Sequence, residues 1–296
     1  MNCHEVVETI RYRGRTTNLR FPLVWLRHRL AVRSNDAFLA SYPRSGNTWA
    51  RFLLCEILTK GDAGFESVAL TIPTLRLRPH GRIPSVLANG GRLLRTHERY
   101  HREYRKAVYF VRDPRDVVVS NYEFERGDKH FALDSLDDFI AAFVRGKTNS
   151  FGSWSKHVRG WLDSPIAKGN GLLLVKYEEM RRNTEQVLSN IVKFLGVSVD
   201  AETIRRAVAN NDLQRMRVKE DHFHSRPADG AGRQVRVGSV GGWQQRLYPE
   251  QVDLIEHHAG ELLDRLGYSR QNELSTELRE AVPATITSLL GSDLAS

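Results

Sequence analysis

Along the chain, short runs of apolar residues alternate with longer stretches in which apolar residues recur every three or four positions. The runs at 37–42, 92–96, 107–111 and 172–175 predict strands, the first of them buried, being too short for helices and rich in Val, Leu, Phe and Tyr. Helical spacing appears over 47–60 through Trp49, Phe52, Leu53, Ile57 and Leu58, with Gly61 as the stop. The same spacing predicts helices over 136–144, 154–162, 184–195 (closed by Gly196), about 201–209, and 249–266, ending at Gly267. Asp113-Pro114 predicts a further helix start, because Asp caps the first free amides and proline needs no acceptor in a first turn. Residues 62–90 carry scattered Pro and Gly with little periodicity and predict an irregular lobe. The stretch 225–242 is Gly-rich and charged, and pattern fades after 270.

Strands alternating with helices predict an α/β fold, a central parallel sheet with helices on both faces. Ligands of such sheets sit outside the carboxyl ends of the strands. The expected organisation is a basic N-terminal arm over 1–36, one domain over 37–270 and a tail over 271–296. Neither an internal repeat nor a low-complexity segment is evident.

Charge narrows the partners. The chain of 296 residues has 44 Lys+Arg against 35 Asp+Glu, a formal charge of +9, which suits anionic ligands or merely a solvated basic surface. Arg11, Arg13, Arg15, Arg20, Arg27, Arg29 and Arg33 surround the apolar run 21–26, which is too short and too arginine-flanked for a signal peptide. That segment reads as a basic arm packed on the domain, with peripheral membrane contact as the alternative. No run approaches the roughly 20 apolar residues of a membrane span. Two cysteines, Cys3 and Cys55, cannot make a disulfide framework, and no Cys/His cluster has zinc spacing. A reducing, cytoplasmic setting and no metal are expected.

The densest chemistry lies in Tyr42-Pro43-Arg44-Ser45-Gly46-Asn47-Thr48-Trp49, where the first strand passes to the first helix. Early helix amides lack intrahelical acceptors and carry the positive end of the helix dipole, so this junction favours an anion. Gly46 permits close backbone approach, Ser45, Asn47 and Thr48 can donate hydrogen bonds, and Arg44 adds a planar charged fork. An ordinary capped helix needs only one such residue. The ATP/GTP signature G-x-x-x-x-G-K-[ST] is absent, since its first glycine and its lysine are missing.

YPRSGNTW resembles the 5′-phosphosulfate loop of sulfotransferases, usually written with lysine where this chain has Arg44. That family moves a sulfuryl group from 3′-phosphoadenosine-5′-phosphosulfate (PAPS) to a hydroxyl or amine. Three further blocks support the resemblance. Val111-Arg112-Asp113-Pro114-Arg115-Asp116 with Ser120 is similar to the family's 3′-phosphate motif, and implies that Arg112 and Ser120 meet that phosphate. Arg95-Thr96-His97 looks like the family's K-T-H, whose histidine is the general base. Arg236-Val237-Gly238 through Trp243 is similar to its R-K-G-x-x-G-D-W loop, with Val237 and Gly242 departing from the pattern.

Tyr177, in Tyr177-Glu178-Glu179-Met180, matches the tyrosine that approaches the adenine, with Trp49 flanking the same base. The resemblance spans about 37–268. It implies a P-loop-like three-layer fold, PAPS as co-substrate, His97 and Arg44 as catalytic residues, and a small-molecule, lipid or sugar acceptor. Nucleic acid is not expected as a partner, and oligomeric state stays open because the family's K-x-x-x-T-V-x-x-x-E dimer motif is not evident after Trp243. Two rivals remain at this point. A P-loop kinase or NTPase requires the missing lysine, and a non-enzymatic polyanion binder leaves His97 unexplained.

Overall fold

The computed structural model describes residues 32–75, 83–128, 131, 133, 135–223, 232–235 and 237–271. Four described strands, β1 (Ala37–Ser41), β2 (Leu93–Thr96), β3 (Ala107–Val111) and β4 (Leu172–Lys176), form one parallel sheet in the order β2-β1-β3-β4. Leu39 pairs with Arg95 on one side and Val108 on the other, and Tyr109 pairs with Leu174. The helices before β4 are α1 (Asn47–Thr59), α2 (Phe65–Thr71), α3 (Pro114–Glu125), α4 (Leu136–Val144), α5 (Trp154–Leu162) and α6 (Pro165–Lys168). After β4 come α7 (Tyr177–Arg182), α8 (Thr184–Leu195), α9 (Ala201–Asn210), α10 (Leu213–Phe223) and α11 (Pro249–Leu266).

Side-chain alternation along each strand divides the core in two. Phe38, Ala40, Leu94, Tyr109 and Val111 pack with residues of α3, α4, α5 and α11. Ala37, Leu39, Leu93, Val108 and Phe110 pack on the other face with residues of α1, α8 and α9. Burial on both faces explains why β1 and β3 read as continuous apolar runs rather than alternating ones. The expected three-layer parallel architecture is the one observed.

Several local expectations need correction. The strand expected from 92 starts at Leu93, because buried Arg92 turns its guanidinium onto buried Asp36 at the sheet entrance. The first helix ends at Thr59, with Lys60 rather than Gly61 in the left-handed conformation. The 62–90 lobe contains α2, started where the Gly64 N–H donates to Ser67 Oγ at 2.8 Å; seven residues are too few to show a period. Helix α10 was not expected, and the reason is its composition. Only Met216 and Glu220 of its side chains are buried, so no apolar stripe exists. Asp113 caps α3 as expected, accepting from the Arg115 N–H at 2.9 Å. The basic arm over 1–31 and the tail beyond 271 lie outside the described residues. No described helix is long and apolar enough to cross a membrane.

His157 of α5 is wholly buried against β3. Tyr109 donates to its Nδ1 at 2.9 Å, and its Nε2 donates to the carbonyls of His97 at 3.0 Å and Glu98 at 3.1 Å. Burial pushes the imidazole down to about 4 from 6.5. The unfolded chain therefore binds this proton first as pH falls, so stability is full above 6.5 and is lost down to about 4. The loss is about 3 kcal/mol for this one group. Urea unfolding should show wild type losing roughly 2–3 kcal/mol more than His157→Gln between pH 7 and pH 4.5. Parallel losses in the two proteins would contradict the assignment.

Candidate active site

Each strand of the sheet delivers a candidate residue as it ends. His97 directly follows β2, Arg112 follows β3 and Tyr177 follows β4, while the Arg44–Thr48 turn follows β1 within three residues. A parallel sheet brings these four carboxyl ends to one edge, with β1 and β3 central.

The turn after β1 is built on two left-handed residues, Arg44 at φ 68° and Gly46 at φ 90°. A Cβ on Gly46 would lie 2.6 Å from the Tyr177 ring, so conformation and space both require glycine. Gly46→Ala should therefore lower the unfolding free energy by about 1–3 kcal/mol, read from the urea midpoint. An unchanged midpoint would show that the turn relaxes freely.

Asn47 does not face outward: its Nδ2 donates to Leu39 O at 3.0 Å and lies 3.3 Å from Ser41 Oγ, tying the helix start back to β1. Ser45 Oγ is buried with no hydrogen-bond partner among the described residues. Thr48 Oγ1 lies 3.5 Å from Gln234 Oε1. Trp49 donates from its indole to Asn211 O at 2.8 Å, with the Arg181 guanidinium over its ring.

Arg44 joins the two sequence blocks. Its Nε donates to Ser120 Oγ at 3.1 Å, and its terminal nitrogen donates to the carbonyls of Arg233 and Gln234, each at 3.2 Å. The guanidinium lies over the Phe124 ring. Arg112 donates to Arg44 O at 3.3 Å and Ser239 O at 2.8 Å, stands 3.6 Å from Asp116, and covers the Tyr177 ring. Its Nε is buried without a partner among the described residues. Tyr177 is itself packed against Gly46 and Gly238.

The Gly-rich segment is anchored by contacts that the motif did not announce. Asp116 accepts from the N–H groups of Gly241 at 2.9 Å and Trp243 at 3.0 Å, and Arg115 lies over the Trp243 indole. Burial raises the Asp116 carboxyl, with Arg112 opposing the rise. Gly238 is left-handed and Val237 is exposed, whereas Arg236 lies outside the described residues.

His97 is half-buried beneath Phe151. Its Nδ1 lies 2.8 Å from Ser41 O and 3.2 Å from Ser41 Oγ, and its Nε2 meets the Arg95 guanidinium. A guanidinium only donates and a carbonyl only accepts. Those partners assign the proton to Nδ1 and the lone pair to Nε2. Burial first, and then the Arg95 charge, hold the imidazole well below its ordinary value, so it is neutral at pH 7. Beside it, Arg51 donates to the Val68 and Ile72 carbonyls at the end of α2; burial and the Arg95 charge bring its guanidinium down to about 9.

A family model described as "Sulfotransferase domain" matches residues 34–267. The chain belongs to the sulfotransferase family. Among curated relatives, mouse sulfotransferase 2A2 is 28% identical over 254 residues, covering 78% of this chain and 85% of the relative. The 3-beta-hydroxysteroid sulfotransferase of Cavia porcellus is 27% identical over 258 residues, covering 79% and 88%. Among solved structures, mouse sulfotransferase SULT7A1 complexed with PAP aligns at TM-score 0.61 and 24% identity, covering 80% of this chain and 89% of that one. Retinol dehydratase in complex with androsterone and inactive cofactor PAP aligns at TM-score 0.63 and 22% identity, covering 80% and 82%. These structural likenesses show the fold, and the family match makes the chain a sulfotransferase enzyme.

Within this sulfotransferase, Arg44, Ser45, Gly46, Thr48, Arg112, Ser120, Tyr177 and Gly238 converge on one edge of the sheet. Asn47 contributes its side chain to the fold at that edge. The contacts that sequence reasoning missed are those of Glu220, Asp116 and the Arg233–Gln234 carbonyls. Only Asp116 had a signal in the sequence, standing three residues after the capping Asp113 and four after Arg112.

Proposed function

We propose that this sulfotransferase uses PAPS as donor, with His97 as general base toward an acceptor hydroxyl. The observation that carries the reading is the convergence of unfilled hydrogen-bonding capacity at the sheet edge. Ser45 Oγ and Arg112 Nε are buried without partners among the described residues, beside a glycine turn that a Cβ would fill. Buried polar atoms are rarely left so, and a doubly phosphorylated nucleotide supplies acceptors for both. Structures of the same fold carry PAP, which supports this choice.

In this reading the amides at the start of α1, with Ser45 and Thr48, hold the 5′-phosphate side. Arg112 and Ser120 hold the 3′-phosphate, with the 237–238 backbone closing over it. Arg44 stands between the two groups, bonded to carbonyls that a phosphate oxygen can replace. Tyr177 and Trp49 flank the adenine. When bound, PAPS supplies a sulfuryl group whose bond to the bridging oxygen breaks as the acceptor oxygen bonds to sulfur. The acceptor proton passes to His97 Nε2, whose lone pair is kept on that nitrogen by the Nδ1–H bond to Ser41 O and is released by the Arg95 guanidinium as the acceptor enters. Cations and helix amides aimed at the departing oxygen stabilise the charge that grows there.

The acceptor is proposed to be a hydroxyl on an apolar small molecule. Phe151 beside His97 supplies an apolar wall, and relatives at comparable identity are named hydroxysteroid sulfotransferases. Incubation with sulfur-labelled PAPS and a panel of sterols, phenols, amines and sugars tests both halves of the reading. Label transfer to an alcohol is expected. Transfer to no acceptor, with no PAPS hydrolysis, would remove the donor assignment, and transfer to amines alone would remove the hydroxyl.

A further inference from the structure

Glu220 of α10 is fully buried, and it spans two adjacent amides of the Gly-rich segment. Its Oε1 accepts from the Gln234 N–H at 2.7 Å and its Oε2 accepts from the Val235 N–H at 3.0 Å. Asp116 repeats this arrangement at the other end, one oxygen on the Gly241 N–H and the other on the Trp243 N–H. The carbonyls of the same segment run the opposite way. Those of Arg233 and Gln234 accept from Arg44, and that of Ser239 accepts from Arg112. Acids therefore hold the amides and arginines hold the carbonyls.

Gln234 is the hinge of this arrangement. Its N–H is held by Glu220, its carbonyl by Arg44, and its side chain lies against Thr48. Whatever fixes the Gln234 peptide thereby fixes where the Arg44 guanidinium stands, and Arg44 also carries Ser120. A buried carboxylate carries a large desolvation penalty unless it is fully hydrogen-bonded. Two short charge-assisted bonds to neighbouring amides offset that penalty and give the loop one geometry.

We infer that Glu220 is a positioning residue for the 3′-phosphate end of the nucleotide site, acting through Gln234 on Arg44 and Ser120. This rests on the nucleotide reading proposed above. With Glu220→Gln, one oxygen becomes an NH2 group facing an N–H, so one staple bond is lost and a donor opposes a donor. The Gln234 peptide is then released, and Arg44 loses its fixed seat beside Ser120.

The test is calorimetric titration of the full chain and its Glu220→Gln variant with adenosine 3′,5′-bisphosphate and with adenosine 5′-monophosphate. The expected result is a Kd for the bisphosphate raised about 10-fold, with a clearly smaller loss for the monophosphate, which keeps only the Thr48 and Arg44 contacts on its 5′ side. Equal losses for the two nucleotides, or unchanged bisphosphate affinity in a folded variant, would overturn the inference, because a merely structural tie has no reason to favour the 3′-phosphate. Should the variant not fold, amide exchange on nucleotide-free wild type decides: Gln234 and Val235 should exchange more slowly than Val237 and Val240, and equal rates overturn the staple. Wild type that ignores the bisphosphate while protecting these amides would instead defeat the nucleotide reading.

Discussion

Replacing His97 with alanine is expected to lower turnover by roughly 10²–10⁴-fold, the range for loss of a positioned general base, while nucleotide affinity stays near that of wild type. The two effects separate because His97 belongs to the end of β2, whereas the candidate phosphate contacts come from β1, β3 and the Gly-rich segment. The surroundings of the imidazole support the role. Its Nδ1 proton is fixed on Ser41 O, and its depressed proton affinity keeps Nε2 unprotonated at neutral pH. The acid limb of kcat/KM should accordingly fall below pH 6.5, since a lowered base stays deprotonated into more acidic solution. Near-normal turnover in the variant would remove His97 from the base role, and an acid limb above 6.5 would contradict its environment.

Arg112→Ala is expected to weaken adenosine 3′,5′-bisphosphate by roughly 10- to 100-fold, the value of a charge-assisted hydrogen bond, and adenosine 5′-monophosphate far less. The comparison matters because Arg112 also stands near Asp116 and caps the Tyr177 ring. Some of any loss will be structural, since removing the guanidinium strands a buried carboxylate. A structural loss falls on both nucleotides alike, whereas loss of a phosphate contact falls on one. Equal weakening measured by calorimetry would show that the 3′-phosphate lies elsewhere.

The parts of the molecule legible in the sequence are those set by local physics. Strand β3 is a continuous apolar run, Asp113-Pro114 carries a cap and a first-turn proline, and Gly196 and Gly267 end helices α8 and α11 in left-handed conformation. The turn after β1 was legible because several polar residues at one strand-to-helix junction have few other uses. What escaped depends on contacts between residues of different elements, which no local pattern marks. Glu220 reaches Gln234 from a helix with no apolar stripe, so no period marked it. Asn47 looked like an outward donor, yet its side chain folds back onto β1. Arg44 looked like a group for the first loop alone, yet it bonds to Ser120, 76 residues later. That last contact arises only when the parallel sheet sets β1 beside β3.

Titration of the intact protein with adenosine 3′,5′-bisphosphate, followed by calorimetry, tests the central claim that two strand-to-helix junctions hold one doubly phosphorylated adenine nucleotide. The account predicts saturable binding of one nucleotide per chain, markedly tighter than adenosine 5′-monophosphate, with a rise in unfolding temperature as the site fills. A well-folded sample that gives no binding heat and no change in unfolding temperature with the bisphosphate would contradict it.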